Sequence, residues 1–198
     1  MKKFLTAKTL GLFFKALAEE WPHPAEILLL GGAAGLVVGN NRPTRDVDFE
    51  VSFASKRAGR KRFQSAVRRA TERTGIDAQF SENVARWSMI SFLDYSRHRK
   101  PFKRYGKIRV FFLDPPYWSI GKVSRYWDQD IRDMIFVFSK VPVDPVRLAR
   151  LWERALKESP LSDRLFGVKT QMCNFFKTYG RKIWGRSCPL EKILPLFQ

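Results

Sequence analysis

The chain has 198 residues, enough for one domain or a domain with a helical appendage, and enough to bury a sizeable core. Hydrophobic residues make up 44% of it, with 17 Phe and 6 Trp, which excludes a disordered chain. Lys and Arg number 37 against 19 Asp and Glu, a formal net charge of +18 that points to a polyanionic partner, usually nucleic acid. A proteome of high average pI would give the same excess without such a partner. Cys173 and Cys188 stand in no metal-like spacing, so the sequence supports neither a disulfide framework nor a zinc site. Met1-Lys2-Lys3-Phe4-Leu5 begins like a signal peptide, but Thr6, Lys8 and Thr9 interrupt the apolar run and no cleavage site follows. No stretch approaches a membrane span. The expectation is a cytoplasmic protein with no membrane partner.

In chain order, Leu10, Phe13, Phe14 and Leu17 repeat at helical spacing, predicting an amphipathic helix over about residues 6–20 that ends before Trp21-Pro22. Residues 26–30 read as a buried strand. Gly31 to Gly39, with Ala33, Ala34, Leu36, Val37 and Val38, fits a short buried helix opening at the glycines. Asn40-Asn41-Arg42-Pro43 is a turn. Asp46 to Ser52 alternates acidic with apolar residues, the pattern of a strand with one functional or wet face.

Residues 55–74 predict a helix whose apolar stripe is Phe63, Ala66, Val67 and Ala70. Its outer face is basic, with Lys56, Arg57, Arg60, Lys61, Arg62, Arg68, Arg69 and Arg73. Strands follow at Trp87–Leu93 and Lys107–Leu113, joined by a basic hairpin carrying Arg97, His98, Arg99, Lys100, Lys103 and Arg104. Asp114-Pro115-Pro116 stops the sheet. Beyond it the chain is helical. Asp144-Pro145 supplies an N-cap and first-turn proline, and Leu161, Leu165, Val168, Met172, Phe175 and Phe176 form a core stripe. The expected fold is α+β: residues 1–115 form a small mixed sheet flanked by helices, and residues 116–198 a helical C-terminal region packed on it.

The most informative pattern is Leu30-Gly31-Gly32, then thirteen residues, then Asp46-Val47-Asp48. Side chains alternate along a strand, so Asp46 and Asp48 share a face a few ångströms apart. Paired carboxylates repel unless a cation, an arginine or a shared proton relieves them. Mg2+ (or Mn2+) suits, because it prefers oxygen ligands and leaves positions for water and phosphate. Glycines allow backbone N–H groups to approach a phosphate. The plain alternative is an ordinary ion pair from Asp46 to Arg42 or Arg45.

Gly31-Gly32-Ala33-Ala34 with Arg42-Pro43-Thr44-Arg45-Asp46-Val47-Asp48 resembles the nucleotidyltransferase superfamily, whose members carry Gly-Gly or Gly-Ser ahead of an Asp-x-Asp or Asp-x-Glu strand. Further on, Gly121-Lys122-Val123, Arg125 and Asp130-Ile131-Arg132-Asp133 are similar to the later motifs of the AbiEii/MenT-like toxin nucleotidyltransferases. The similarity covers about residues 26–135. It implies that Gly31, Gly32, Thr44 and Arg45 line a nucleoside triphosphate and that Asp46 and Asp48 hold the metal. Lys122 would contact phosphate, and Asp130 or Asp133 would supply another carboxylate. There are departures: Gln129 stands where the family often has Arg, and on the strand 107–113 Arg109 sits instead of a third acid. Glu50, Asp94, Asp114, Asp130 and Asp133 all remain open for that acid.

The bland readings stand beside these. Asp130 and Asp133 near a helix start simply favour the macrodipole, and a lone lysine such as Lys122 is usually solvated. Neither His23 nor His98 has a nucleophile and acid in sequence company, so a His-centred triad is not expected. Tyr117, Trp118, Tyr126 and Trp127 fit a core or a base-stacking surface. The resemblance implies Mg2+-dependent transfer of a nucleoside monophosphate from a triphosphate to RNA, with tRNA the family-led acceptor. Lys56, Arg57, Arg60, Lys61, Arg62, Arg99, Lys100, Lys103 and Arg104 would form the nucleic-acid surface. It also implies toxin behaviour beside a neutralising antitoxin. The alternative is a catalytically inactive relative that binds nucleic acid through the same basic surface.

Overall fold

The structure, a computed structural model, describes residues 4–40, 43–53, 59–81 and 89–198. The chain divides into two compact units, Met1–Val84 with Arg99–Leu113 and Ala85–His98 with Asp114–Gln198. The class is α+β, with every strand in the first unit.

The first unit opens with α1 (Ala7–Glu20), started by a reciprocal cap. Thr6 Oγ1 accepts from the Thr9 N–H at 3.1 Å, and Thr9 Oγ1 accepts from the Thr6 N–H at 2.7 Å. Then come β1 (Ala25–Leu29), α2 (Gly31–Val37), β2 (Asp46–Phe53), α3 (Arg60–Thr74) and β3 (Asp77–Ser81). The hairpin β4 (Arg99–Tyr105) and β5 (Ile108–Leu113) completes it. The five strands lie in the order β3-β2-β1-β5-β4. Pairs β1–β2 and β4–β5 are antiparallel, while β1–β5 and β2–β3 are parallel. Register Leu29↔Phe49↔Phe80 fixes which side chains share a face.

On the apolar face Phe49 meets Phe13 and Phe14 of α1, Phe63 of α3 and Phe80 of β3, at centroid separations of 5.8–6.5 Å. Phe63 also packs edge-on to Trp21 and Phe53 at 5.1 Å, so one side chain joins two strands, one helix end and its own helix. Outside the core, α3 is clasped to α1 by Arg69–Glu20 and Arg73–Glu19 ion pairs. These pairs are solvated and contribute little by themselves.

The second unit contains α4 (Pro115–Val123), α5 (Asp128–Lys140), α6 (Pro145–Glu158), α7 (Asp163–Trp184) and the short α8 (Leu190–Ile193). Asp114 and Asp144 cap α4 and α6, each with proline next, as the sequence predicts. Trp152 of α6 is fully buried between Phe175 and Phe176 of α7, and its indole N–H donates to Ser119 Oγ at 2.9 Å.

Several expectations are corrected. The predicted strand over 87–93 is instead a 3-10 turn at Met89–Phe92, with Trp87 outside the described residues. The basic segment expected as a hairpin is itself a strand: Arg99–Tyr105 is β4, a sheet edge whose Lys and Arg side chains suit solvent. Strand β3 was not predicted, because Asp77-Ala78-Gln79-Phe80-Ser81 is too polar to show an apolar run. Helix α3 is described from Arg60, so residues 55–58, including Lys56 and Arg57, lie outside the described set. Leu161 precedes α7 and is fully exposed, so the α7 core stripe begins at Val168. Tyr117 and Trp118 are core, whereas Trp127 is exposed.

Phe63→Ala should therefore lower stability by about 3–5 kcal/mol. Leu12→Ala, at an exposed position, should stay within about 0.5 kcal/mol. Urea denaturation of the two variants checks the pair.

Candidate functional site

The backbone dictates the site in the first unit. Leu30 follows β1 and caps α2, and its N–H donates to the Asp48 carbonyl at 2.9 Å, which brings the start of α2 against β2. Gly31 then takes φ +53°, and a Cβ there would stand 2.6 Å from Asp48 Oδ2. A Cβ on Gly32 would stand 2.5 Å from Thr44 Oγ1. Both separations are inside van der Waals contact, so a side chain at either glycine would have to displace its neighbour. The Asp48 carboxylate lies against Gly31.

Asp46 and Asp48 are half-buried on one face of β2, and Val47, Phe49 and Val51 are buried on the other. The alternation predicted from sequence is thus realised. Thr44 is buried, its carbonyl accepting from the Leu5 N–H at 2.7 Å. Its hydroxyl donates to Asp46 Oδ1 over a long 3.4 Å. Arg45 is exposed with its guanidinium over the Phe4 ring at 5.6 Å, and forms no ion pair with Asp46 among the described residues. Arg42 lies outside the described residues.

The residue that sequence reasoning missed is Asp77. In the parallel β2–β3 pair its Cα is the partner of the Asp46 Cα, so it shares the face of Asp46, Asp48 and Glu50. An unpredicted strand hides its residues; the signal was Gly75, a left-handed C-cap that ends α3 two residues earlier. Even so, among the described residues no three His, Cys, Asp or Glu side chains converge as a metal-binding group. Two carboxylates with open positions still fit Mg2+, which keeps waters and binds substrate phosphates.

Of the acids left open by the sequence, Glu50 alone belongs to the unit of Asp46 and Asp48. Asp94 pairs with Arg97 and Ser96 Oγ. Asp114 bonds His98 and caps α4. Asp130 and Asp133 sit in a buried ion cluster with Lys122, all at most 3% exposed. The Lys122 ammonium donates to Asp130 Oδ1 at 2.8 Å and Asp133 Oδ2 at 2.7 Å. Arg125 grips Asp130 with two parallel bonds of 3.0 and 2.9 Å. Burial by itself raises the Asp130 carboxyl, but the hydrogen bonds and charges of Arg125 and Lys122 outweigh it and hold it below its ordinary value. The cluster ties α4 to α5, and buried carboxylates stripped of such partners are costly.

The described part of the predicted basic surface falls on helix α3 and on the edge strand β4. Arg60, Lys61 and Arg62 are exposed in the first turn of α3, where the helix dipole disfavours cations and a bound polyanion would relieve them. Lys61 and Arg68 also line a cleft of about 740 Å³ between α3 and β3, with Gln64, Gln79 and Phe80. On β4, Lys100, Lys103 and Arg104 are exposed. Arg99 is drawn inward, bonded to Glu26 and stacked over Phe111 at 5.0 Å, so it acts within the sheet face.

Comparison with known proteins finds no matching family model, no matching curated protein and no matching solved structure.

Gly31→Ala should cost roughly 1–3 kcal/mol, from the strained φ together with the carboxylate contact. Adding Asp48→Ala should recover part of that loss, which a double-mutant cycle in urea measures. Lys122→Met should cost about 3–5 kcal/mol at neutral pH by removing the buried ammonium shared by two carboxylates. A lowered folded pKa contributes stability above the unfolded value of about 4 and loses it as pH falls through the folded value. The gap between Lys122→Met and the parent should therefore narrow in acid, as denaturation at neutral pH and below about pH 4 would reveal.

Proposed function

We propose that this protein is a nucleotidyltransferase that moves a nucleoside monophosphate from a nucleoside triphosphate to an RNA acceptor, with tRNA the leading candidate. The observation that carries the reading is the close approach of the Asp48 carboxylate to Gly31, where the backbone takes a left-handed φ of +53° and a Cβ would stand 2.6 Å from Oδ2. A purely structural salt bridge would not require glycine there. Asp46 and Asp48 would hold Mg2+ (or Mn2+), which when bound offsets the charge of the triphosphate and of the departing pyrophosphate. The chain's own residues do the remaining work. Gly31 and Gly32 leave backbone accessible beside the carboxylates, and Thr44 fixes Asp46 through its hydroxyl. Asp77 and Glu50 share that face and add to its acidity. No nucleophilic side chain is needed, since positioning and electrostatics lower the barrier in phosphoryl-type transfer.

The acceptor follows from charge. A net +18, with uncompensated cations on the first turn of α3 and on β4, suits a long polyanion and would repel a cationic small molecule. The resemblance noted above adds growth inhibition, countered by an antitoxin protein, to the reading. A second reading, nucleic-acid binding without transfer, is favoured by one observation: no three carboxylates converge among the described residues.

Purified protein, Mg2+, each labelled triphosphate and total tRNA should yield labelled RNA. Asp48→Asn should lower the yield by at least 100-fold, on the scale of lost electrostatic stabilisation. Salt-sensitive RNA binding with no label, unchanged by chelator, would establish the second reading.

A further inference from the structure

The second unit holds a cleft that nucleotidyl transfer at Asp46 and Asp48 leaves unused. It has a volume of about 750 Å³ and runs between the start of α4 and the first turns of α6. Ligand sites commonly fall between about 300 and 1,000 Å³. One wall is apolar, made by Val141, Pro142 and Val143 before α6 and by Leu148 and Leu151 on it. Trp184 donates to the Val143 carbonyl at 2.7 Å, and Asp144 caps α6 through the Arg147 N–H at 2.8 Å, so this wall is built before any ligand arrives.

The other lining is polar and cationic. Arg147, Arg150 and Arg154 recur at i, i+3 and i+7, one face of α6. Arg154 donates to the Tyr117 hydroxyl at 2.7 Å. Arg147 and Arg150 are exposed and have no carboxylate partner among the described residues. The cleft's own acids are already engaged. Asp144 is a cap, while Asp114 takes the Tyr117 N–H on Oδ1 and His98 Nδ1 on Oδ2 at 2.9 Å. In a tautomer whose Nδ1–H donates to Asp114, Nε2 is an acceptor. The His98 ring stacks on Tyr117, centroids 3.6 Å apart and planes 15° off parallel, which fixes its orientation.

We infer that this cleft binds a nucleoside monophosphate, its phosphate held by the planar forks of Arg147 and Arg150 and its nucleoside lying along the apolar wall. Guanidinium pairs match phosphate oxygens in geometry as well as charge. An inorganic ion would leave the apolar wall unused, and a wholly apolar ligand would leave two arginines unpaired. The oriented His98 adds one polar group able to accept from a base or ribose. This site is independent of the acidic face of β2.

Isothermal titration of the full chain with AMP, CMP, GMP and UMP tests it. At least one should saturate at one site per chain, and Arg147→Ala/Arg150→Ala should weaken it at least tenfold. Asp46→Asn/Asp48→Asn should leave that affinity unchanged, which separates this site from the proposed transfer site. The chain has only two histidines, so imidazole NMR supplies a readout that needs no variant: the ligand should shift His98 and leave His23 in place. The inference is overturned if no monophosphate saturates in the millimolar range, or if inorganic phosphate binds as tightly. It is equally overturned if His23 and His98 both stay unmoved, or if an acidic peptide engages the arginines and nucleotides do not.

Discussion

The arrangement of the first unit depends on how closely a turn of backbone approaches a carboxylate. Leu30 hydrogen-bonds the Asp48 carbonyl, and Gly31 and Gly32 then pass so near Asp48 and Thr44 that a side chain on either would force a shift. That approach accompanies the turn of the chain after β1 and its return as β2 in antiparallel register. A protein using Asp48 only for solubility would gain nothing from this and would accept the conformational cost of glycine for no return. The functional proposal grows from that constraint more than from the number of acids present.

The two ionic assemblies contrast in physics. The acids on β2 are half-buried on a sheet face and share it with Asp77 and Glu50. In the Lys122 cluster the ammonium and both carboxylates are buried, with Arg125 reaching Asp130 from the exposed side. The sequence presents both as acid motifs of similar look. Burial and partner identity separate them, and these are tertiary properties.

Much of this was legible beforehand where local rules and tertiary packing agree. Alternation over Asp46–Ser52, the caps at Asp114 and Asp144 and the apolar stripe of α3 were all readable, because periodicity and cap chemistry are local. What failed is equally physical. Strand β3 is an edge strand of polar composition, so nothing in its own residues announces it. The 87–93 segment has the apolar look of a strand, yet Met89–Phe92 closes into a 3-10 turn whose Met89 and Ile90 are buried in the second unit. Asp77 was missed for the first reason. The His98–Asp114 pair was missed because its partners are sixteen residues apart and meet only when β4 and β5 form their hairpin.

The path of the chain between its halves has a practical consequence. The polypeptide passes from the first unit to the second, returns for β4 and β5, and leaves again at Asp114. No single cut yields two intact pieces. A fragment ending after Leu113 keeps the whole sheet but carries residues 89–98 with Met89, Ile90 and Leu93 stripped of their burial partners. A fragment starting at Asp114 lacks those three side chains and His98. During synthesis the sheet likewise stays one hairpin short until Leu113 has emerged, so the first piece of the second unit leaves the ribosome before the first unit can close.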